Sequence, residues 1–302
     1  MTPTTSRLPA DVIAQLATAD PEDIPGQASA AWALLTPYHE KAGYTAPRLE
    51  RDLAYGTDPR QRLDVHAAAG PGQPAPVVLF VHGGGFVRGD KHVPGTPMYD
   101  HVGAWAVRHG AVGVTVTYRL APGHQWPAGA EDVAAAVEWI RGGIAAYGGD
   151  PARIVVAGHS AGAAHVASFL TGQGGGSLDG VRGGALLSGI YDLAQRGELE
   201  RAYYGDTPAG TASTRPGLLE CPVPLLFSVA EHDPRYFHAQ AGGMVAAWLS
   251  RHGVLPQLVW AEGHNHISEI ASLGIDDEAL GTPLARFIDR VTGGAPGVPR
   301  CG

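Results

Sequence analysis

A serine between two glycines is the first feature of this sequence that could do chemistry. Residues 158–162 read Gly-His-Ser-Ala-Gly, after an apolar run and before small, helix-compatible residues. A strand, a tight turn and a helix in this order would hold the Ser160 hydroxyl on a strained turn, where glycines let the backbone pass without a Cβ clash. A plain Gly-Ser turn gives a similar pattern, but the predicted strand 153–157 and Ala-rich helix 161–170 favour a serine nucleophile.

Three consecutive glycines follow a second apolar run. Residues 82–86 read His-Gly-Gly-Gly-Phe after the strand predicted at 76–81. Glycines cost conformational entropy, so their exposed backbone is expected to have a function. The N–H groups of Gly84 and Gly85, with that of Ala161, are predicted to donate to an oxyanion. A phosphate-binding loop is disfavoured, because no Lys-Ser/Thr pair follows and the Gly-x-Gly-x-x-Gly spacing is absent.

A nucleophilic serine needs a histidine to take its proton and a carboxylate to orient that histidine. If the order serine, acid, histidine holds, both partners lie later in the chain. The strand predicted at 224–229 runs into Glu231 and Asp233. We prefer Asp233, because the proline after it would begin the following helix, and Glu231 is the alternative.

Two histidines follow the next predicted strand, 257–261. They are His264 and His266, and the residues alone leave either as the base. The chain has 14 histidines, and a single histidine is usually a surface or structural residue. Two at the end of one predicted strand favour a catalytic role for one of them.

The composition and charge of the chain exclude several classes of protein. A chain of 302 residues with 44% hydrophobic content can bury one large core. A net charge of −8 without a basic cluster argues against nucleic acid or an anionic membrane as a partner. Cys221 and Cys301 are the two cysteines, which excludes a disulfide framework and a four-thiolate metal site and fits the cytoplasm. No stretch reaches the ~18 apolar residues of a spanning helix, so membrane insertion is not expected, nor is secretion.

Strands and helices alternate along the chain. Strands are predicted at 49–54, 63–67, 76–81, 112–118, 153–157, 184–190, 224–229 and 257–261, and helices at 99–109, 130–147, 161–170, 237–251 and 283–291, with an irregular stretch at 191–222. Such alternation predicts an α/β fold with a mostly parallel sheet and helices on both faces. In such sheets the chemistry gathers at the carboxyl ends of the strands.

The two ends of the chain are predicted to lie outside the catalytic domain. Residues 8–44 predict short amphipathic helices that either pack on the back of the domain or form a lid. We therefore divide the chain into an N-terminal helical segment and possible cap (1–48), a catalytic domain (49–292) and a Gly- and Pro-rich flexible tail (293–302).

Four motifs together resemble the hormone-sensitive-lipase group of α/β-hydrolase carboxylesterases. They are His-Gly-Gly-Gly-Phe at 82–86, Tyr-Arg-Leu-Ala-Pro at 118–122, Asp-Pro-Ala-Arg-Ile at 150–154 and Gly-His-Ser-Ala-Gly at 158–162. The resemblance covers roughly residues 77–266. It implies the α/β-hydrolase fold, an oxyanion hole at Gly84, Gly85 and Ala161, and Asp233 as the acid.

The chain departs from that group at two places. Residues 122–124 read Pro-Gly-His where the group commonly has Pro-Glu-His, and the histidine region lacks His-Gly-Phe. Residues 265–270 (Asn-His-Ile-Ser-Glu-Ile) are more similar to the arylformamidase and feruloyl-esterase-like branches of the fold. That similarity favours His266 over His264 as the base and leaves the subgroup open.

Three functions follow from this sequence. The first is a serine carboxylesterase that needs no cofactor or metal and acts on short-acyl esters of small molecules, as a monomer or homodimer. The second is an arylformamidase-like amide hydrolase with the same residues. The third is a binding protein on the same scaffold, disfavoured because receptors that resemble this group have lost the catalytic histidine. Phe86, His159 and Trp126 are predicted to contact the substrate, and the bulk of Phe86 and Trp126 to limit the acyl pocket.

Overall fold

The computed structural model describes residues 8–70 and 72–293 and contains one central sheet. Within these residues the strands are β1 (Arg48–Ala54), β2 (Arg62–Ala67), β3 (Ala75–Val81), β4 (Val112–Val116), β5 (Gly149–His159), β6 (Val181–Leu187), β7 (Leu225–His232) and β8 (Gln257–Asn265). Their order across the sheet is β1-β2-β4-β3-β5-β6-β7-β8. Strands β1 and β2 pair antiparallel at one edge, and β4 to β8 with β3 are parallel. The predicted mostly parallel sheet is confirmed.

Helices connect and flank these strands. They are α1 (Ala10–Thr18), α2 (Ile24–Ala42), α3 (Asp100–Arg108), α4 (Ala128–Gly143), α5 (Ala161–Leu170), α6 (Glu198–Tyr204), α7 (Ala209–Ala212), α8 (Arg215–Leu219), α9 (Arg235–His252), α10 (Ser268–Ala271) and α11 (Gly281–Thr292). A 3₁₀ turn at Ile144–Tyr147 continues α4, so the helix predicted at 130–147 is present with its last turn tightened. This is an α/β-hydrolase fold.

Both faces of the sheet are buried, which explains the continuous apolar strands. In β3 the side chains of Val77 and Leu79 point into the core shared with α4 and α5, and Val78 and Phe80 point into the core shared with α3 and α11. A strand covered on both faces needs apolar residues at every position. Burial of a side chain of this size stabilises the fold by roughly 1.5–3 kcal/mol.

The stretch predicted as irregular (191–222) contains three short helices, which is a correction. The helices α6, α7 and α8 span only seven, four and five residues. Runs this short show no full helical period in the sequence. They form because tertiary contacts bury residues such as Tyr203 and Tyr204.

The N-terminal helices pack beside β8, at the edge of the sheet opposite β1. Leu16 of α1 and Leu35 of α2 share a buried cluster with Ala271 of α10. The amide of Asn265 donates to the carbonyl oxygen of Leu16 at 3.0 Å, and His39 Nε2 donates to the carbonyl oxygen of Ala271 at 2.7 Å. The start of α2 is capped, because the Asp23 carboxylate accepts from the N–H of the third residue. Most of the predicted tail, from residue 294 on, lies outside the described residues.

Candidate active site

Ser160 lies on a tight turn between β5 and α5. Its φ is +56°, in the left-handed region that costs energy for a residue with a side chain. A Cβ on Gly158 would overlap the backbone of Gly162, and one on Gly162 would overlap the carbonyl oxygen of Val81 in β3. The two glycines are therefore needed for the close approach of the turn to its neighbours. The turn projects the hydroxyl above the carboxyl end of the sheet.

His266 connects this serine to a carboxylate. Its Nε2 lies 2.9 Å from Ser160 Oγ, and its Nδ1 lies 2.6 Å from Asp233 Oδ1. Because Asp233 accepts at Nδ1, that nitrogen carries the proton and Nε2 is left as the acceptor for the serine hydroxyl. The three side chains come from the ends of β5, β7 and β8 and form one hydrogen-bonded line.

Asp233 is held as an anion. Burial alone would raise its pKa, but the charge and hydrogen bond of His266 and two further donors outweigh burial and lower the pKa. Those donors are the Ser188 hydroxyl at 2.6 Å and the backbone N–H of Ala230 at 2.7 Å, both to Oδ2. An ionised carboxylate at this place stabilises an imidazolium on His266.

The glycine loop places free backbone donors beside the serine. Gly84 and Gly85 have φ values of +136° and +59°, and a Cβ on Gly84 would overlap the carbonyl oxygen of Arg88. Within the described residues, the N–H groups of Gly84, Gly85 and Ala161 donate to no protein acceptor. All three residues line the cavity that contains Ser160. These donors are available to an oxygen atom in that cavity.

The cavity over Ser160 and His266 has a volume of about 820 Å³. Of the residues predicted to contact substrate, Phe86 and His159 line it. Phe86 has a φ of +70°, and its ring stacks on Tyr203 at 4.7 Å between centroids. Its position is therefore fixed by packing. The cavity is within the size range of small-molecule sites.

His159 also contacts the backbone of His266. Its Nε2 donates to the backbone carbonyl oxygen of His266 at 2.8 Å. Burial, with the neighbouring His266, lowers the pKa of His159 to about 3, so its imidazole is neutral. The residue before the nucleophile thereby anchors the loop that carries His266.

Trp126 is not among the residues that line the cavity, which corrects the prediction. Its backbone N–H donates to the carbonyl oxygen of Tyr203 at 2.9 Å, and its side chain packs against the cluster around Phe86. A tryptophan that does line the cavity is Trp32, together with Ile24 and Ala28 of α2. Their spacing of four residues places all three on one helix face, which is the signal that the sequence contained.

The two alternative residues take other partners. Glu231 accepts from the backbone N–H of Gly263 at 2.8 Å and is not near Ser160. His264 lies 3.2 Å from Ser268 Oγ through Nδ1, and its Nε2 lies 3.3 Å from Asp277 Oδ2. His264 does not line the cavity.

Two buried residues beside Asp233 escaped the sequence reasoning. They are Ser188, after β6, and Glu269, in α10. Neither belongs to a recognisable motif, although a glutamate between Ile267 and Ile270 was a weak signal. Their arrangement is considered below.

The described part of the chain comprises residues 8–70 and 72–293. In this part of the chain no group of three or more His, Cys, Asp or Glu side chains could hold a metal ion. No helix described there has the length and apolarity to cross a membrane.

Comparisons with known proteins agree with the fold. The Abhydrolase_3 family model, described as alpha/beta hydrolase fold, matches residues 78–220. An esterase of Pyrobaculum calidifontis has a similar structure, with a TM-score of 0.69, 24% identity and coverage of 95% of this chain and 97% of that one. The chain therefore has the α/β-hydrolase fold.

Its curated relatives are esterases. Esterase LipC of Mycobacterium tuberculosis is 35% identical over 170 residues, 52% of this chain and 40% of LipC. Esterase LipQ of the same organism is 30% identical over 217 residues, 66% of this chain and 50% of LipQ. The chain thus spans half or less of the length of these relatives. The resemblance to α/β-hydrolase carboxylesterases is confirmed, whereas the similarity to the arylformamidase branch stays a prediction.

Proposed function

We propose that this protein is a serine carboxylesterase that hydrolyses short-acyl esters of small molecules. The observation that carries the proposal is the hydrogen-bonded line from Ser160 through His266 to Asp233, which opens on a cavity beside three free backbone N–H groups. A nucleophile, a base, an orienting acid and oxyanion donors are what acyl transfer from an ester requires. The esterase names of the curated relatives support the same reaction.

In the first half of the reaction, Ser160 Oγ attacks the ester carbonyl carbon while His266 Nε2 takes the hydroxyl proton. The carbonyl oxygen becomes an oxyanion that accepts from the N–H groups of Gly84, Gly85 and Ala161. Asp233 stabilises the imidazolium formed on His266. Collapse of the tetrahedral intermediate breaks the bond to the alcohol, which leaves with the proton from His266. The acyl group remains on Ser160.

In the second half, water attacks the acyl-enzyme. His266 Nε2 takes a proton from the water, and the same backbone donors hold the second oxyanion. Collapse releases the carboxylic acid and returns the proton to Ser160. Each step uses groups of the chain itself, so the proposal includes no metal or cofactor.

The walls of the cavity support a small substrate. Next to the oxyanion loop, Phe86 is fixed by its stack on Tyr203, and a Cβ on Gly85 would overlap Leu199 of α6. Across the cavity, Trp32 and the other residues of α2 close the side that the sequence assigned to Trp126. We infer that residues 22–32 act as a cap over the substrate. Long acyl chains would leave methylenes unburied in such a site, which removes their binding energy.

A substrate panel with the purified protein tests the proposal. Aryl acetate and butyrate should be hydrolysed with a kcat/KM at least about tenfold above that of an aryl ester of about ten acyl carbons, because a long chain that meets the fixed ring of Phe86 displaces the ester carbonyl from its position beside Ser160. The aryl acetate should also exceed the matching N-formyl aryl amine, since an amide nitrogen must be protonated before it leaves. Preference for the formamide would replace the esterase by an arylformamidase-like hydrolase. Equal rates for all chain lengths would overturn the short-acyl assignment.

A further inference from the structure

The hydroxyl of Ser188 lies between two buried carboxyl groups. Its Oγ is 2.6 Å from Asp233 Oδ2 and 2.7 Å from Glu269 Oε2. The three residues are at most 2% exposed, so water does not separate them from one another. The backbone of Ser188 is in the left-handed region, with a φ of +41°, which side chains adopt at a cost. The fold therefore fixes this hydroxyl where both carboxyl groups reach it.

The hydrogen atoms in this arrangement can be counted. A hydroxyl has one proton to donate, and an ionised carboxylate only accepts. Asp233 takes donors at both oxygens, from His266 Nδ1, from Ala230 N and from Ser188, which fits an ionised group. The contact at 2.7 Å between Ser188 and Glu269 then needs a second proton. A protonated carboxyl group on Glu269 supplies it and donates to Ser188 Oγ.

The surroundings of Glu269 agree with a neutral acid. Its side chain is fully buried, and its Oε1 makes no hydrogen bond of good geometry among the described residues. The Ser228 hydroxyl is close enough to lower the pKa of Glu269, but burial outweighs it. The titratable groups that face it are Asp233 after β7, Tyr191 after β6 and His264 on β8. None of these is a lysine or arginine. Burial and the charge of Asp233 raise the pKa of Glu269 to about 7.

We propose that Glu269, through its carboxyl proton, is a positioning residue that directs the Ser188 hydroxyl to Asp233 and so fixes the carboxylate that orients His266. This assignment rests on the proposed function, because it acts on the same three residues. Glu269 touches neither Ser160 nor the cavity. It acts through Ser188 and Asp233.

Loss of the proton from Glu269 should weaken this arrangement. Two carboxylates would then compete for the single proton of Ser188, and their like charges would repel across it. Asp233 Oδ2 would lose the hydrogen bond from Ser188 in part of the molecules and keep the one from Ala230, and His266 would be held less well. Because the acid is protonated below its pKa, the well-positioned form exists at lower pH and declines as pH rises through about 7.

Three variants test the proposal through the pH profile of kcat. In Glu269→Gln a neutral amide still donates to Ser188 Oγ, so kcat at about pH 6 should stay within roughly threefold of the wild type and should not fall toward pH 9. The ratio of the kcat of Glu269→Gln to that of the wild type should rise severalfold over the same range, and this ratio cancels the proton transfers that both enzymes share. Glu269→Leu, without a donor, should lower kcat about tenfold at every pH with KM nearly unchanged. Glu231→Gln is the matched control and should keep the wild-type profile.

Infrared spectroscopy reads the proton directly and needs no activity. At about pH 6 the wild type should show a protonated-carboxyl stretch that ¹³C-glutamate labelling shifts, that fades as pH rises through about 7 and that is missing from Glu269→Gln. If Glu269→Leu does not fold, this signal in the wild type still decides the matter. A wild type without the band, or a Glu269→Gln enzyme with the same alkaline fall as the wild type, would overturn the proposal.

The two proposals fail in different ways. If the wild type cleaves aryl esters and Ser160→Ala does not, the esterase function stands, and Glu269 variants with wild-type kcat and pH profile refute only the positioning role. If the wild type cleaves no ester of the panel, the proposed function fails, whereas the infrared band still reports the protonation of Glu269.

Discussion

Two Ser-His-Asp sets lie side by side at the end of β8. In one, His266 joins Ser160 at 2.9 Å and Asp233 at 2.6 Å. In the other, His264 lies 3.2 Å from Ser268 and 3.3 Å from Asp277. The same three residue types are buried in both sets, and the two histidines are separated by one residue. Composition and distance alone therefore do not identify a catalytic site.

Access and backbone conformation separate the two sets. Ser160 and His266 line the cavity, whereas Ser268 and His264 do not. Ser160 is on a strained turn, while Ser268 begins the short helix α10, where its Oγ accepts from the N–H of Asn265 at 2.9 Å. We infer that the set around Ser268 stabilises the loop that carries His266. The comparison teaches that a catalytic triad is defined by what its serine can reach.

The largest expected difference is between the two serines. Ser160→Ala should lower kcat for an aryl acetate on the order of 10⁶-fold, because the nucleophile is lost while the backbone donors remain. Ser268→Ala should leave kcat within a few-fold and lower the free energy of unfolding by about 1 kcal/mol, because the buried N–H of Asn265 loses its acceptor. Steady-state kinetics and denaturant unfolding measure both. A Ser160→Ala protein with substantial activity would remove the basis of the comparison.

The alanine variants of the two histidines should differ in kcat nearly as much as those of the two serines. His266→Ala should lower kcat by roughly 10⁵- to 10⁶-fold, since Ser160 then lacks its base. His264→Ala should have a far smaller effect on kcat and appear mainly in thermal unfolding, because it leaves a cavity beside Ser268 and Asp277. The kcat values of both purified variants, measured on samples with the same folded fraction, decide which histidine is the base. The reverse order of effects would make His264 the base.

The difference in kcat between variants should be smallest for the acids, compared with the serines and the histidines. Asp233→Asn should lower kcat about 10⁴-fold, because an amide at this position favours the wrong tautomer of His266. Asp277→Asn and Glu231→Gln should each change kcat by less than about tenfold, since neither carboxylate contacts His266. Comparable losses in Asp233→Asn and Asp277→Asn would mean that the two sets are not functionally distinct.

The sheet was predictable because each strand is covered on both faces. Burial of β3 and β5 requires apolar side chains at successive positions, and such runs stand out in a sequence. The turn at Ser160 was equally predictable, because its Gly-x-Ser-x-Gly spacing is a motif of five consecutive residues. The helices α6 to α8 were not visible, because residues distant in sequence decide whether such short segments become helical.

The site was predictable only in part, for a related reason. The prediction had placed Ser160, Asp233 and His266 at the ends of their strands, and their geometry follows from the order of a parallel sheet. The wall of the cavity depends on which helix crosses that edge, and the sequence favoured Trp126 where the structure has Trp32. Glu269 was missed because a buried acid is recognised by its neighbours in space, and no local pattern encodes them.

The docking of α1 and α2 has a consequence for biosynthesis. The contacts of Asn265 with Leu16 and of His39 with Ala271 join residues 249 and 232 positions apart. The helices α1 and α2, of which α2 lines the cavity, thus leave the ribosome long before the strand and helix on which they pack. Until β8 and α10 emerge, the apolar faces around Leu16 and Leu35 have no native partner and are open to chaperones or to other chains. Closure of the substrate cavity is therefore expected to be among the last events in the folding of the nascent protein.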